Sequence, residues 1–342
     1  MIQIRLSEAQ TEFTRHLNAR GMAHRTVKSH NQTLRRCVAV WGDIYLSSVK
    51  PQHVDKLFSD STWSASTTNL NLSNVRQFFR WAAIHKYVDR QYDPTEGWRN
   101  RKVERRERFW LPVEEFYDLL DACHSDRDRA VVALGLFTFC RGSEINAIKI
   151  RDIDFERNTV DIWREKTKQS DVLPLVDELK EEMLIWLNAY RTQLGRELDP
   201  DWYLVPAKGP LPMIYQHHLR RLAPSGESAQ YNPTVQLGKP YECVKRAMRG
   251  LGYESHGAGV HVCRRSGARA LFDRMRFEGY DGALMRVSSM LGHADTKTTE
   301  NYLGLKLERQ QRNDMLAGKR MFPDLKKSSK VVRLEVHGGY RG

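Results

Sequence analysis

Residues 291–302 read LGHADTKTTENY, and this stretch decides how the rest of the chain is interpreted. Gly292 predicts a turn or a helix cap, and His293 follows it directly. Tyr302 comes nine residues after that histidine. A phenol with an ordinary pKa of about 10 attacks poorly unless a neighbour accepts its proton and cations hold its product. The question is therefore which cations and bases the chain supplies upstream.

Three further motifs lie upstream of this stretch. They are RGSE at residues 141–144, a lysine at position 166 in a predicted hairpin turn, and HVCR at residues 261–264. His261 and Arg264 are three residues apart, so on a helix they share a face. Taken one at a time, the motifs also fit an Arg–Glu pair at a helix start, a solvent-facing lysine and a structural histidine.

The two motif arginines suit the binding of a phosphodiester. Arg141 follows an almost continuous apolar run at 130–140, which places its charge at the edge of a core, where it needs an anionic partner. Glu144, three residues on, can orient its guanidinium. Arg141 and Arg264 could together grip both non-bridging oxygens of one phosphate, because a planar, permanently charged fork suits this better than lysine does. In a charged, pentavalent transition state one preorganised donor is typically worth about 3 kcal/mol.

In this order and at these spacings, the four motifs resemble those of the tyrosine recombinase, or phage integrase, family. The family pattern is an Arg in an RxSE box, a hairpin Lys, an HxxR box, and an LGH box with a Tyr nine residues after its His. The resemblance covers roughly residues 105 to 315. The chain departs from the pattern at Arg265, where many relatives have His, at Cys263, where Leu is usual, and in a slightly longer gap before His293.

The resemblance implies a catalytic set and a role for each member. Lys166 lies eight residues before Pro174, as the catalytic lysine does in the family, and is expected to protonate the leaving 5′ oxygen. Lys168 is expected to contact a phosphate instead. His293 is expected to hydrogen-bond the scissile phosphate, and Tyr302 to attack phosphorus. The full set is Arg141, Lys166, His261, Arg264, His293 and Tyr302, with Glu144 supporting Arg141.

Pattern and resemblance together predict a mainly α fold with a small β-hairpin or sheet, in two domains that form a C-shaped DNA clamp. Residues 1–97 are expected to form a helical core-DNA-binding domain, and residues 98–110 a basic linker. Residues 111–320 are expected to form an α+β catalytic domain. A tail at 321–342 would dock on a neighbouring protomer, although it could also fold back on its own domain or fray. The helical pattern begins by Leu6, which suggests a compact, arm-less recombinase.

Apolar spacing predicts the individual elements. Thr26 is the expected N-cap of the second helix, Gly42 its end, and Pro51 the start of the third. Residues 207–239, with four prolines and no clear period, are expected to be a long loop. The predicted apolar helix faces are Leu6, Ala9, Phe13 and Leu17, then Val27, Leu34, Cys37, Val38 and Trp41, then Val54, Leu57 and Phe58, then Leu72, Val75, Phe78, Phe79 and Ala82. Beyond the linker the spacing predicts buried helix at 130–140, hairpin strands at 159–163 and 172–175, and helices at 179–194 and 240–251.

Composition narrows the class of protein. Lysine and arginine number 55 against 42 aspartates and glutamates, a formal net charge of +13 over 342 residues. This favours a polyanionic partner, the alternative being a merely basic protein. No apolar run of about 18 residues is present, and the first residues lack a signal-peptide core. Five scattered cysteines without a CxxC spacing indicate reduced thiols in a cytoplasmic protein. Without a metal-ligand cluster or a GxxxxGK loop, neither a metal nor another cofactor is expected.

Cations along the predicted helices and the linker are candidates for phosphate contacts, with a solvated surface as the alternative. The resemblance implies double-stranded DNA with specific recombination sites as partner, a homotetramer on that DNA, and accessory DNA-bending or directionality proteins. It implies the bacterial host cytoplasm, beside the nucleoid, and no membrane. The candidate DNA contacts are Arg35, Arg36, Arg76, Arg80, Arg101, Lys102, Arg105 and Lys168.

The expected function is site-specific DNA recombination through a 3′-phosphotyrosyl intermediate and a Holliday junction, in the integration and excision of phage or other mobile DNA. Two alternatives stay open. A type IB topoisomerase-like strand transferase has a similar site. A non-catalytic DNA-binding protein could retain the scaffold, although the intact set of six residues argues against it.

Overall fold

The chain divides into two compact units, Met1–Arg106 and Glu107–Gly342. The division falls inside the predicted linker at 98–110, while the other domain bounds stay predictions. The predicted tail at 321–342 lies outside the described residues. The computed structural model describes residues 2–59, 62–103, 109–165, 167–209, 231–253 and 259–305.

The first unit is helical, as the apolar spacing predicts. Gly42, in the left-handed region at φ +79°, ends the second helix, and Pro51 begins the third. The expected N-cap at Thr26 is wrong. The second helix begins at His24, because the amides of Thr26 and Val27 already bond to the carbonyl of Ala23. The helices are α1 (Leu6–Ala19), α2 (His24–Trp41), α3 (Pro51–Ser59) and α4 (Ala65–Ile84), with a short 3-10 turn at Leu46–Ser48.

The core of the first unit is formed by the predicted apolar faces. Phe13, Phe78 and Trp81 pack within 5.2–5.7 Å of one another between ring centroids, where α1 meets α4. Polar side chains also enter this interior. Thr33 donates to Asn71 at 2.7 Å, which ties α2 to α4 through a buried hydrogen bond. The faces of all four helices therefore point inward, as their spacing requires.

The second unit combines helices with two small antiparallel sheets, which confirms the predicted fold class. Three of its strands pair antiparallel in chain order, and Trp163 faces Ser170 close to the turn that joins the second and third of them. The helices are α5 (Phe116–Asp121), α6 (Asp126–Phe137), α7 (Gly142–Ala147), α8 (Asp177–Leu194), α9 (Pro240–Gly250), α10 (Val260–Phe277), α11 (Ala283–Met290) and α12 (Thr296–Tyr302). The strands are β1 (Ile153–Asp154), β2 (Thr159–Arg164), β3 (Gln169–Pro174), β4 (Pro206–Lys208) and β5 (Tyr231–Gln236), and 3-10 turns lie at Val113–Glu115 and Ile150–Asp152.

The expected long loop at 207–239 is wrong in part. Its described end forms β5, which pairs with β4 across an interval of more than 20 residues. Pro233 lies within β5, and its carbonyl accepts the amide of Tyr203. A strand of this kind shows no alternating pattern and carries a residue that seldom occurs inside sheets, so local sequence does not reveal it.

Close contact between α6 and α10 aligns the segments that carry the candidate site residues. A Cβ built on Gly267 of α10 would lie 1.8 Å from the carbonyl oxygen of Leu136, and one on Gly135 of α6 would lie 2.9 Å from the Cβ of Cys263. Only glycine allows the two backbones to approach this closely. The helix that carries His261 and Arg264 is thereby held against the helix that leads to Arg141.

Replacing Gly267 with alanine is expected to destabilise the chain. The added methyl group collides with backbone rather than with a movable side chain, so α6 and α10 must separate, at a cost of about 1–3 kcal/mol or more. Thermal unfolding should report a lower midpoint. Gly238→Ala is the control, because no atom lies within 4 Å of its added methyl group. Equal midpoints for the two variants would contradict the packing argument.

Candidate active site

Arg141 and Glu144 are joined by the local geometry of a helix start. Arg141 is the N-cap of α7, and its amide donates to Glu144 Oε2 at 2.6 Å. Its Nη1 donates to the other carboxylate oxygen, also at 2.6 Å. Glu144 is almost fully buried, whereas the Arg141 side chain keeps 23% of its exposure. The pair fixes the direction of a guanidinium that still reaches the surface.

Arg264 enters the same cluster from α10. Its side chain is 1% exposed, and its Nη1 lies 3.8 Å from Glu144 Oε2. Nη2 donates to the carbonyl of Leu291 at 2.6 Å, and Nη1 donates to the carbonyl of Phe139, a residue in the left-handed region at φ +55°. Burial lowers the pKa of the Arg264 guanidinium, although an arginine remains charged near neutrality. A buried cation is thus held by carbonyls and one shared carboxylate.

Tyr302, the last residue of α12, lies among cations and imidazoles. The guanidinium carbons of Arg265 and Arg264 are 5.5 and 5.9 Å from its ring centroid. The His293 ring packs edge-on, with centroids 5.6 Å apart. The Tyr302 hydroxyl donates to the backbone carbonyl of His261 at 3.4 Å. The structure therefore brings the predicted nucleophile beside Arg264, the His293 ring and the backbone of His261.

Arg265 departs from the family pattern, and the structure shows what it contacts. Its Nη1 donates to the carbonyl of Phe109 at 2.8 Å, while its guanidinium faces the Tyr302 ring. A cation over an aromatic face is attracted by the ring quadrupole. The substitution therefore places a positively charged side chain beside the Tyr302 ring.

His261 is held in its neutral form. Burial is the largest cause that lowers the pKa of its imidazole below 6.5, followed by Arg264, Arg265 and Arg141. Because the folded-state pKa is depressed, the neutral ring predominates at pH 7 and becomes protonated only as the pH falls below that value. A neutral imidazole can accept a proton from a nearby hydroxyl.

His293 is oriented by two hydroxyl side chains that sequence reasoning missed. Thr299 Oγ1 donates to Ser288 Oγ at 2.9 Å, and His293 Nδ1 lies 2.9 Å from Thr299 Oγ1. With its proton given to Ser288, Thr299 accepts from Nδ1–H, which leaves Nε2 to face other partners. Thr299 lies three residues before Tyr302, so helical spacing could have indicated it. No local signal points to Ser288 on α11.

The two hairpin lysines are placed differently. Lys166 lies outside the described residues, so its role stays a prediction. Lys168 has φ +55°, and its ammonium pairs with Glu165 on an exposed part of the turn. It remains reachable by a phosphate.

Most candidate DNA contacts of the first unit are exposed. Arg36 stacks over Trp63, 5.0 Å from the ring centroid. Arg76 is engaged within the unit, because it donates to Thr95 Oγ1 at 3.2 Å and to the carbonyl of Trp98. Arg105 lies outside the described residues. The exposed candidates are Arg35, Arg36, Arg80, Arg101 and Lys102.

Within the described ranges, no three His, Cys, Asp or Glu side chains are grouped so that they could hold a metal ion. In the same part of the chain, no helix combines the length and the apolar character that a bilayer crossing requires.

Curated relatives of the chain are tyrosine recombinases. One from Pseudothermotoga lettingae is 28% identical over 196 residues, which are 55% of this chain and 66% of the relative. Tyrosine recombinase XerC of Pseudomonas savastanoi pv. phaseolicola is 24% identical over 303 residues, or 86% of this chain and 90% of that protein. A lambda integrase dimer bound to a COC′ core site shares the fold, with a TM-score of 0.63 and 16% identity over 88% of this chain and 77% of its own.

The class is therefore that of the tyrosine-type site-specific recombinases. Residues 110–309 match the model of the phage integrase family, and residues 11–86 match that of the phage integrase N-terminal SAM-like domain. The chain belongs to the phage integrase family. It spans about two thirds of the length of the Pseudothermotoga relative and nine tenths of that of the XerC protein.

Proposed function

We propose that this chain is a site-specific DNA recombinase that cuts and rejoins duplex DNA through a 3′-phosphotyrosyl intermediate, in the integration and excision of phage or other mobile DNA. The observation that carries the proposal is the surroundings of Tyr302. Two guanidinium groups lie within 6 Å of its ring, and an imidazole packs against the ring edge. This arrangement holds a phenol beside groups that bind phosphate and accept protons.

The charge of the cluster supports a phosphodiester as ligand. Arg141 and Arg264 share one carboxylate, that of Glu144, while the charge of the neighbouring Arg164 is neutralised by Asp171. One positive charge is left in excess at a largely buried position, where an uncompensated cation is costly. The single negative charge of a phosphodiester compensates it. The same donors then stabilise the additional charge of the pentavalent transition state.

The proposed reaction balances without a cofactor. The Tyr302 oxygen attacks phosphorus, the bond from phosphorus to the 5′ oxygen breaks, and the departing oxygen takes a proton from Lys166. Neutral His261, whose carbonyl lies 3.4 Å from the Tyr302 oxygen, is available to accept the phenolic proton. The 5′-hydroxyl of a partner duplex then attacks the phosphotyrosine, which restores the DNA bond and Tyr302.

We propose assembly of four protomers on two DNA sites, with both units of each protomer contacting DNA and two strand exchanges passing through a Holliday junction. A lambda integrase tetramer bound to a Holliday junction, with a TM-score of 0.60, has the same fold. Accessory DNA-bending or directionality proteins belong to this proposal. The tail at 321–342 is proposed to dock on the neighbouring protomer.

A two-site assay tests the function. The DNA that flanks the gene supplies candidate sites, which are cloned as one or two copies in a supercoiled plasmid. Recombinant products from the two-site plasmid, together with a denaturant-resistant DNA adduct, are expected. Relaxation of either plasmid without recombinants would indicate the topoisomerase alternative. DNA binding without any adduct would indicate a non-catalytic binding protein.

DNA binding should weaken steeply with salt. Each lysine or arginine contact to a phosphate releases a condensed counterion, with a slope of about −0.9 in log K against log salt per contact on B-DNA. Charge reversal at Arg99, Arg101 and Lys102, which are exposed in the predicted linker, should flatten that slope. Fluorescence anisotropy of a labelled duplex from low to moderate salt measures it.

The matched control is Arg191→Glu. Arg191 is a half-exposed cation at the end of α8, near Glu197, outside the predicted DNA contacts. Its reversal changes the charge by two units, as Arg101→Glu alone does in the linker, and should leave the slope unchanged. An unchanged slope in the linker variant, or an equal change in both variants, would show that the linker cations do not contact DNA phosphates.

A further inference from the structure

Arg164, the last residue of β2, is a buried arginine that the catalytic set does not include. Its side chain is 4% exposed and makes three separate contacts. Nε donates to Asp171 Oδ2 across the hairpin at 2.7 Å. Nη2 donates to the carbonyl of Met290 at 2.8 Å, and Nη1 lies 3.7 Å from Glu144 Oε2. One side chain therefore joins the β2–β3 hairpin, the end of α11 and the Arg141–Glu144 pair.

The turn before His293 is shaped around this arginine. Gly292 has φ +60°, and a Cβ added there would lie 2.8 Å from both Cζ and Nε of Arg164. The Arg164 side chain thus packs directly against the glycine backbone. Gly292 is required both for its left-handed conformation and for this close approach.

The backbone of Arg164 closes the turn that contains position 166. Its carbonyl accepts the amides of Thr167 and Lys168, at 3.1 and 2.8 Å. The residue whose side chain reaches the Glu144 cluster is therefore also the anchor of the lysine-bearing turn. A displacement of Arg164 would therefore change both its contact with the Glu144 cluster and the position of the turn.

A purely structural role would need fewer contacts. Asp171 already neutralises the Arg164 charge with a close ion pair at 2.6 Å. The guanidinium also donates to the carbonyl of Met290 and points towards Glu144. These two contacts are not needed for the ion pair with Asp171. Burying a charge is costly unless ion pairs and hydrogen bonds compensate it, and the compensating partners here lie on three different elements. What is gained is a fixed position of the hairpin relative to α11 and α7.

We propose that Arg164 is a positioning residue that holds the β2–β3 turn, and with it the segment carrying Lys166, against the phosphate-binding cluster. The inference rests on the proposed function, in which Lys166 protonates the leaving 5′ oxygen. Losing Arg164 should impair the proton transfer step more than phosphate binding or the attack of Tyr302.

The test compares two leaving groups in Arg164→Met. Cleavage of an ordinary site is measured beside cleavage of the same site with a bridging 5′ sulfur, whose departure needs no proton. Misplacement of a catalytic group by about 1 Å can cost about 100-fold in rate, so a defect on that scale is expected with the ordinary site. The sulfur substrate should return the variant to within a few fold of the unmodified protein. DNA affinity should stay unchanged.

Matched variants separate the outcomes. Arg157→Met removes an exposed arginine that pairs with Asp154 in the adjacent β1–β2 turn, at 3.7 Å, and should cleave both substrates normally. Asp171→Asn keeps the shape of the Arg164 partner and should show the same pattern with a smaller defect, even if Arg164→Met folds poorly. A thermal unfolding midpoint for each variant identifies misfolding.

Lys166→Ala serves as the reference for lost proton transfer. If sulfur rescues the lysine variant while Arg164→Met and Asp171→Asn stay slow on both substrates, or are never slow, the Arg164 proposal is overturned and the proposed function stands. If sulfur fails to rescue the lysine variant, the acid assignment is wrong, and the Arg164 proposal is rejected with it. Rescue of all three variants supports both.

Discussion

Tyr302→Phe should abolish covalent attachment to DNA while the fold and DNA binding persist. The substitution removes one oxygen, which is the proposed nucleophile, and no alternative acceptor for phosphorus is left at that position. The ring keeps its contacts with Arg264, Arg265 and His293. The hydrogen bond from the hydroxyl to the carbonyl of His261 is long at 3.4 Å, so losing it should cost little stability. Denaturing electrophoresis of protein mixed with a nicked site measures the adduct.

Tyr280→Phe is the matched control for this prediction. Tyr280 is half-exposed, lies between α10 and α11, and has Arg286 over its ring at 5.7 Å. Its loss of a hydroxyl should leave adduct formation unchanged. A denaturant-resistant adduct in Tyr302→Phe would reject Tyr302 as the nucleophile. Loss of the adduct in both variants would point to a general defect instead.

Lys166→Ala should slow cleavage of ordinary DNA by about 100-fold or more, the usual scale for a lost general acid. The reason is the leaving group, since an unprotonated 5′ alkoxide departs slowly. Single-turnover cleavage of a suicide site measures the rate. A bridging 5′ sulfur should restore it, because a thiolate leaves without a proton.

Lys168→Ala is the control within the same turn. Its ammonium pairs with Glu165 on an exposed surface, which is a poor position for directed proton transfer. It should show little cleavage defect with either leaving group. A large, sulfur-rescued defect in Lys168→Ala, with a normal Lys166→Ala, would exchange the two assignments.

Much of the first unit could be predicted from spacing alone. The residues of the four predicted apolar faces are buried, apart from the partly buried Val38, because helical periodicity is a local property that each segment carries by itself. The end of α2 at Gly42 was equally predictable, since a left-handed residue there favours glycine. The start of α2 at His24 was not predictable from the sequence. The amides of Thr26 and Val27 bond to the carbonyl of Ala23, so the helix begins before the expected side-chain cap at Thr26.

The candidate site was predictable in part for the same reason. Arg141 with Glu144, and His261 with Arg264, are each three residues apart. Helical spacing alone therefore predicts that the two members of each pair lie side by side. The resemblance of the motif order to the tyrosine recombinase pattern further implied that these pairs lie beside Tyr302. The roles of the six residues stay predictions until the cleavage assays are performed. The assignment of exposed arginines to DNA contacts stays open in the same way.

By itself, the sequence determined the helical faces and the residue types of the site, because each depends on spacing within about ten residues. It determined the class of protein through the resemblance of four ordered motifs to the tyrosine recombinase pattern. Only the tertiary structure decided that Arg164 contacts Met290, a residue 126 positions away, and that Ser288 and Thr299 orient His293. It also decided that Gly267 must lack a side chain, since the backbone of Leu136 occupies that space. Such contacts depend on how helices and strands distant in the chain pack together, and close packing in three dimensions leaves no local pattern in the sequence.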